Sequence, residues 1–179
     1  MKHLKFILVM VMAYSINTTP MFGQSDSKKE KIVADSNKAK AAFIEKDGLL
    51  KGFFETAYGY VIFPNVGKGG LGVGGAAGNG AVYEQNSLAG MAKLSQLSIG
   101  FQAGGQAYSE VIFFETKAEL DKFKASKFEF SAQASAVAVT AGASANAKYT
   151  DGVMVFTMAK GGLMYEASIG GQKFKFESK

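Results

Sequence analysis

The chain has 179 residues and a formal net charge of +5, and 47% of its residues are hydrophobic. It contains no cysteine, no tryptophan and no arginine, and its single histidine is His3. This composition leaves no Ser-His-Asp or Cys-His catalytic centre and removes the usual ligands of zinc and copper. We therefore expect a binding or structural protein rather than an enzyme, with neither a metal nor a cofactor.

Residues 1–23 are typical of a secretion signal. Lys2 and Lys5 precede an apolar run at residues 6–13, which is shorter than the roughly 20 residues that span a bilayer. Cleavage after residue 23 removes both lysines and lowers the net charge from +5 to +3, which does not indicate a nucleic-acid-binding protein; an uncleaved anchor is the alternative. We predict an exported chain, periplasmic or extracellular or at a membrane surface, in which residues 24–179 form a single domain.

Two helices are predicted at the start of that domain. The segment from Lys28 to Lys46 has no glycine or proline, and Asp47-Gly48 ends it. A second, short helix is predicted over residues 49–57, with four apolar side chains on one face. They are Leu49, Leu50, Phe53 and Phe54. This face either packs on a sheet or inserts into a membrane.

The pattern then changes to that of strands. A strongly β-prone segment, Tyr58 to Phe63, is expected to end at Pro64. Asn79-Gly80, Asp151-Gly152 and Gly170-Gly171 are predicted turns, the last between strands at 163–168 and 173–177.

Later in the chain, alternating apolar and polar residues at 128–136 predict another strand. Lys117 to Lys124 predicts a short helix with Leu120 and Phe123 facing inward. We predict an α+β fold that is mainly antiparallel β, barrel- or sandwich-like, with about seven to nine strands, N-terminal helices and one inserted short helix.

Residues 61–71 and 153–163 repeat one pattern, a β run followed by Lys-Gly-Gly-Leu. The repeat predicts two equivalent strand ends, each of which places a lysine, Lys68 or Lys160, beside glycines. Chance recurrence in a glycine-rich chain is the alternative.

The glycine-rich stretch does not indicate a nucleotide site. Residues 72–77 fit a G-x-G-x-x-A string, but strand-like residues follow where a dinucleotide site needs a helix. The better account is that these glycines let another element approach the backbone closely. A pair of catalytic carboxylates stays open in principle among Glu84, Glu110 and Glu166, although no spacing selects a pair.

Lysine is the chain's only strong cation, and it binds phosphate as a point charge without arginine's two-pronged geometry. The candidate contacts to anionic lipid headgroups are Lys51, Lys68, Lys93 and Lys160. Such contacts suit a membrane surface better than a selective headgroup pocket. The alternative is that these lysines are simply solvated charges.

Several segments together resemble the SYLF domain, also called the Ysc84 domain. They are residues 57–63, 68–75, 78–83, 98–106 and 160–171. The resemblance covers nearly all of the chain from about Lys31 onward and is closest to secreted bacterial members. It implies lipid binding and no enzyme activity; eukaryotic relatives bind phosphoinositides and, in fungi, actin.

The chain departs from the eukaryotic pattern at two places. Residues 86–90 replace a segment with tryptophan and proline, and residues 141–145 replace a Gly-Pro-x-Gly-Arg segment. The missing arginine argues against phosphoinositide selectivity, and an exported bacterial chain is not expected to meet actin.

The sequence therefore predicts a non-enzymatic, lipid-binding protein of the bacterial envelope whose partner is anionic membrane lipid. In this hypothesis Leu49, Leu50, Phe53 and Phe54 insert while Lys51 and nearby lysines meet headgroups. The alternative is a structural or interaction protein that self-associates or binds protein through strand edges or the alanine-rich segment 131–147.

Overall fold

The computed structural model describes residues 22–71, 73–99, 106–131, 134–161 and 167–179. In chain order the described elements are α1 (Phe22–Lys46), α2 (Leu50–Thr56), β1 (Gly59–Leu71), β2 (Val73–Glu84), β3 (Ser87–Ile99), β4 (Gln106–Phe114), α3 (Lys117–Lys124), β5 (Ser135–Ala138), a 3-10 helix (Ala143–Asn146), β6 (Val153–Ala159), β7 (Ala167–Ser168) and β8 (Gln172–Ser178). The predicted secretion signal lies outside the described residues except for its last two, which begin α1. Among the described helices, none is both long and apolar enough to cross a bilayer.

The eight strands form one sheet in the order β7-β5-β6-β4-β1-β2-β3-β8. Neighbouring strands are antiparallel except for β5 and β6, which are parallel. The predicted class, α+β with a mainly antiparallel sheet, N-terminal helices and one inserted helix, is thereby confirmed.

The sheet is strongly curled. β4 and β8 stand four places apart in the strand order, which corresponds to about 19 Å across a flat sheet. Gln172 Nε2 on β8 nevertheless lies 3.0 Å from Glu110 Oε2 on β4. Side chains from distant strands therefore meet inside the curl, although no strand ladder joins the end strands β7 and β8 within the described residues.

Each face of the sheet carries its own buried apolar cluster. Successive residues of β1 alternate between the faces: Tyr60 and Ile62 point toward α1 and α2, whereas Val61 and Phe63 point into the curl, where α3 packs against β1, β4 and β8. We call these the α1 face and the α3 face. Because each buried phenylalanine contributes roughly 1.5–3 kcal/mol, both faces stabilise the fold.

The three predicted helices are confirmed. Phe43 of α1 is fully buried on the α1 face, and α1 ends immediately before Asp47. α3 spans the predicted residues, and Thr116 Oγ1 caps it by accepting a hydrogen bond from Ala118 N at 3.2 Å. Leu120 and Phe123 of α3 are fully buried, as the pattern predicted.

The prediction that Pro64 ends the first strand is wrong. β1 continues to Leu71, and its pairing with β2 shifts register between Ile62 and Asn65. This irregularity tolerates the proline, which has no N–H to donate. Ser109 Oγ donates a hydrogen bond of 2.8 Å to the Pro64 carbonyl, so the bulge is tied to β4.

The prediction of a turn at Asn79-Gly80 is also wrong. Both residues lie inside β2, where Gly80 pairs with Ala92 of β3 and the neighbouring Ala81 pairs with Ile62 of β1. A Cβ atom on Gly80 would lie 2.5 Å from the Ile62 carbonyl oxygen, so this glycine serves close packing rather than a turn. The turn between β2 and β3 is instead Gln85-Asn86, with φ angles of +47° and +62°.

The other two predicted turns are present. Asp151-Gly152 has the positive φ angles, +52° and +72°, that its sequence predicted. Gly171 also has a positive φ, of +73°, but β7 pairs with β5 and β8 pairs with β3. This turn therefore connects β7 and β8, the two end strands of the curled sheet, and does not form a hairpin. Residues 162–166, which include most of the strand predicted at 163–168, lie outside the described residues.

The alternating segment at 128–136 forms less strand than predicted. Its described part makes an isolated bridge between Glu129 and Lys173 before β5 begins at Ser135. Phe128 and Phe130 are half-buried against the α3-face cluster, as the alternation predicted. Residues 132–133 lie outside the described residues.

Candidate functional site

The predicted apolar face of α2 is largely core. Leu50 is 0% exposed and Phe54 is 1% exposed. The Phe54 ring centroid lies 4.8 Å from that of Phe113 and 5.1 Å from that of Tyr60. Because these side chains are packed under the helix, Leu50 and Phe54 cannot insert into a membrane while the domain is folded, and they are removed from the candidate site.

The remaining residues of α2 form a small exposed corner. Phe53 is half-buried, with ring centroids 6.0 Å from both Phe113 and Phe156. Leu49 is 53% exposed, and the exposed Lys51 lies 3.8 Å from Glu55 in an i,i+4 ion pair. Leu49 and Lys51 therefore stay accessible, but they form a patch of two residues.

The repeated Lys-Gly-Gly pattern brings two lysines to the start of one strand. β1 and β6 both pair with β4. Lys68 lies opposite Gln106, and Lys160 N donates to the carbonyl of the next residue, Ala107, at 2.9 Å. Lys160 Nζ also donates to Asn65 Oδ1. The two positions are not equivalent, however: Lys68 lies inside β1, Lys160 follows the end of β6, and they lie beside successive residues of β4, which point to opposite faces.

Lys93 belongs to a larger exposed surface on β3 and β8. It lies opposite Lys175, and Ser95 lies opposite Lys173. Leu97, which shares the face of Lys93 by alternation, is 85% exposed. All three lysines are exposed, and two of them are ion-paired: Lys93 with Glu177 at 2.7 Å and Lys173 with Glu129 at 3.6 Å.

The first turns of α1 extend this surface. Lys28 and Lys29 line a depression of about 180 Å³ with Lys93 and Glu177. We call the following set the lysine surface: Lys28, Lys29, Lys93, Leu97, Lys173 and Lys175. Of these residues, only Lys93 was predicted from the sequence. The sequence does carry a signal for Lys173 and Lys175, which the prediction did not use: lysine alternates with phenylalanine at residues 173–176.

A separate groove of about 550 Å³ opens between β6 and the segments 128–135 and 147–151. Phe128, Phe130 and Ile169 form part of its apolar wall, and Lys148 and Asp151 are among its charged residues. Its volume is within the range of small-molecule sites. The sequence did not predict it, because its walls come from segments that are distant in the chain.

Of the three candidate carboxylates, the two that the structure describes, Glu84 and Glu110, have separate partners and are not paired with each other. Glu84 Oε1 accepts from Tyr58 at 3.0 Å and Glu84 Oε2 accepts from Lys124, whose hydrogen bond holds the pKa of Glu84 below its usual value. Glu110 lies elsewhere, fully buried on the α3 face. Glu166 lies outside the described residues. Among the described residues, no group of three or more histidine, cysteine, aspartate or glutamate side chains is arranged to hold a metal.

Glu110 has an unusual environment. Its Oε2 accepts one hydrogen bond, from Gln172 Nε2 at 3.0 Å. Burial raises the pKa of Glu110 to about 7, and the hydrogen bond from Gln172 offsets only part of this effect. Nearby Tyr108 lies 3.5 Å from the same Gln172 nitrogen, and burial raises its pKa as well.

Comparison with known proteins identifies the family. A family model described as "Ysc84: Las17-binding protein actin regulator" matches residues 95–179, which run from β3 to the C-terminus. The chain is also 30% identical to "Beta cell expansion factor A" of Aeromonas veronii over 150 residues, which is 82% of this chain and 57% of that protein. The chain thus spans little more than half the length of this relative. These matches confirm the resemblance to the Ysc84, or SYLF, family, whose model covers two of the five resembling segments, residues 98–106 and 160–171.

Proposed function

We propose that this domain binds anionic membrane lipid without catalysis, and that the lysine surface makes the contact. Membership of the Ysc84 family supports a lipid- or protein-binding domain. The choice of lipid rests on one observation: Leu97, 85% exposed, lies on the same face as exposed lysines of β3 and β8. An apolar side chain beside cations is the arrangement that a membrane surface accommodates.

The energies of these contacts favour a weak, reversible association. Each lysine near an anionic surface contributes about 1 kcal/mol, and this attraction decays within a Debye length of roughly 8–10 Å. Burying a leucine side chain adds roughly 1.5–3 kcal/mol. Several lysines and Leu97 together therefore suffice for binding that salt weakens.

The expected selectivity is for negative charge rather than for one headgroup. The chain has no arginine, so it lacks the planar fork that recognises phosphate with two hydrogen bonds. We propose that vesicles of different anionic lipids bind similarly at equal surface charge. The leader-like first 23 residues support an exported location, and for that reason we do not carry actin regulation over to this chain.

Vesicle flotation tests the proposal. The purified protein is mixed at low salt with phosphatidylcholine vesicles that do or do not contain phosphatidylglycerol. We expect flotation only with the anionic vesicles, and a loss of about tenfold or more when Lys173→Glu and Lys175→Glu are combined. The matched control, Lys122→Glu with Lys127→Glu, makes the same change of charge at exposed positions on and after α3 and should float like the original protein.

The apolar part of the contact is tested with a second matched pair. Leu97→Ser should weaken flotation several-fold, whereas Leu49→Ser, at the other exposed leucine, should not. Equal flotation with neutral vesicles, or unchanged flotation of the Lys173 and Lys175 double variant, contradicts the proposal.

Self-association through a strand edge is the alternative. The outer edge of β8 already has local partners: Phe130 N donates to the Gln172 carbonyl at 3.3 Å, and Phe176 N donates to Ser126 Oγ at 3.1 Å. These bonds make that edge a poor template for another chain. Sedimentation over a range of concentrations without lipid separates the alternatives, since edge pairing requires a mass that rises with concentration.

A further inference from the structure

A cluster of unsatisfied oxygen atoms lies inside the curl of the sheet. Four buried side-chain atoms have no hydrogen-bond partner among the described groups: Gln96 Oε1, Glu110 Oε1, Thr157 Oγ1 and Gln172 Oε1. Their side chains are between 0% and 5% exposed. Buried polar atoms are nearly always paired, so a group of four in one place requires an explanation.

The four side chains are neighbours. Glu110 lies opposite Thr157 where β4 pairs with β6, and Gln96 lies opposite Gln172 where β3 pairs with β8. The bond of 3.0 Å between Gln172 Nε2 and Glu110 Oε2 links the two pairs across the curl. Gln96 is held in place because its Nε2 donates to the carbonyls of Ser168 at 3.3 Å and Gly170 at 2.8 Å. The oxygens are therefore presented by positioned side chains.

The unsatisfied atoms of the cluster are mostly hydrogen-bond acceptors. Amide oxygens and an ionised carboxylate only accept hydrogen bonds, and the threonine hydroxyl can supply one proton at most. Protonating Glu110 would supply a second donor, so the donors fall short of the acceptors only when Glu110 is ionised: the threonine hydroxyl is then the one donor for three other oxygens. A bound cation satisfies several oxygens at once and also neutralises the buried charge, which is otherwise costly in a dry interior.

We propose that the oxygens of Gln96, Glu110, Thr157 and Gln172 bind a small monovalent metal cation. Oxygen-only ligand sets select hard cations. With one carboxylate, a monovalent ion leaves the cluster electrically neutral, whereas a divalent ion leaves an excess positive charge that burial penalises.

The groove beside β6 lies close to this cluster. Its wall includes Val155 and Ile169. Val155 shares a face of β6 with Thr157 by alternation, and Gln172 N donates to the Ile169 carbonyl at 3.1 Å. Two residues of the groove wall are thus neighbours of two proposed ligands.

Thermal unfolding of the whole protein in different chloride salts tests the proposal. At pH 8 and equal ionic strength, sodium or potassium should raise the midpoint above that in choline, which is too large for the cluster. A shift of about 3–6 °C is expected at ten times the dissociation constant, with saturation at higher concentration. Calcium at the same ionic strength should give a smaller shift.

Variants assign the effect to the cluster. Glu110→Gln keeps the shape of the side chain and should abolish the difference between potassium and choline. Thr157→Val, which removes one ligand oxygen at nearly constant volume, should raise the cation concentration at half-saturation several-fold. Glu45→Gln, an exposed residue of α1, should leave the difference intact.

Circular dichroism verifies that each variant is folded, and Thr157→Val decides the test alone if Glu110→Gln fails to fold. Equal midpoints in sodium, potassium and choline overturn the proposal. A cation effect that survives in both cluster variants also overturns it, and a larger effect of calcium than of either monovalent ion overturns the assignment of charge.

Discussion

Two buried carboxylates, one on each face of the sheet, have opposite pKa shifts. Asp47, which follows α1, is 3% exposed and accepts hydrogen bonds from Ser144 N at 2.8 Å, Ser144 Oγ at 2.7 Å and Leu49 N at 3.1 Å. Burial raises the pKa of Asp47, but the hydrogen bonds from Ser144 and its other donors outweigh it and leave the pKa below its usual value. Glu110 is 0% exposed and has one donor, and burial raises its pKa to about 7.

The difference shows that the number of donors, rather than burial alone, decides the charge state of a buried acid. Asp47 is a structural link, since its bonds connect the end of α1 to the 3-10 helix 97 residues further along the chain. Glu110 has no such compensation within the described residues. An unsatisfied buried charge destabilises the fold, and such sites are where function is expected.

The largest predicted effect tests whether the part of the α1 face beneath α2 is core. Phe54→Ala should lower the free energy of unfolding by about 3–5 kcal/mol, because Phe54 packs against Phe113 and Tyr60 in a filled core. Leu49→Ala, on the exposed side of α2, should change it by less than about 0.5 kcal/mol. Urea unfolding measures both, and a cost below about 1 kcal/mol for Phe54→Ala would show that α2 is not part of the core.

The pH dependence of stability tests the α3 face. The folded state retains the proton on Glu110 up to about pH 7, whereas the unfolded chain loses it near pH 4.5. The free energy of unfolding should therefore fall as the pH rises between these values, by roughly 3 kcal/mol when Glu110 is the only contributor. Asp47 does not titrate in this window, because its pKa lies below 3.8.

Urea unfolding at pH 5 and pH 8 in choline chloride measures this decline. Glu110→Gln should remove it, because the amide neither binds nor releases a proton. An equal decline in the original protein and in Glu110→Gln would mean that another group is responsible, and the contrast with Asp47 would then be lost.

The sequence predicted the helices and the fold class well, because these depend on local periodicity. α3 was predicted to the residue, since Leu120 and Phe123 are the only large apolar side chains in a charged segment. The prediction of a turn at Asn79-Gly80 was wrong because the same dipeptide is compatible with a turn and with a tightly packed strand. Gly80 is needed for its lack of a Cβ atom, because the backbone of β1 packs closely against it.

The candidate site was much less predictable. The apolar pattern of α2 does not reveal what covers it, so Leu50 and Phe54 suggested a membrane contact equally well. The exposure of Leu97 depends on the tertiary structure, and its apolar side chain alone gives no indication that it is exposed. Glu110 had a usable signal, since it is the one charged residue in the apolar run from Tyr108 to Phe114, but the partners that leave it unsatisfied come from β3, β6 and β8.

Removing the charge of each acid gives the sharpest test of the comparison. Asp47→Asn should lower the free energy of unfolding by about 1.5–3 kcal/mol at pH 7, because the amide group places donors against the donors of Ser144 and Leu49. Glu110→Gln at pH 8 in choline should instead raise it, since a buried charge is lost. Asp151→Asn, at an exposed turn with positive φ, is the matched control and should change the free energy of unfolding by less than about 0.5 kcal/mol.

The cost of Asp47→Asn should also diminish as the pH falls through the lowered pKa of Asp47, where the original side chain loses its charge as well. Equal losses of stability for the Asp47 and Glu110 variants would mean that both acids are structural, and that Glu110 does not differ in kind from Asp47.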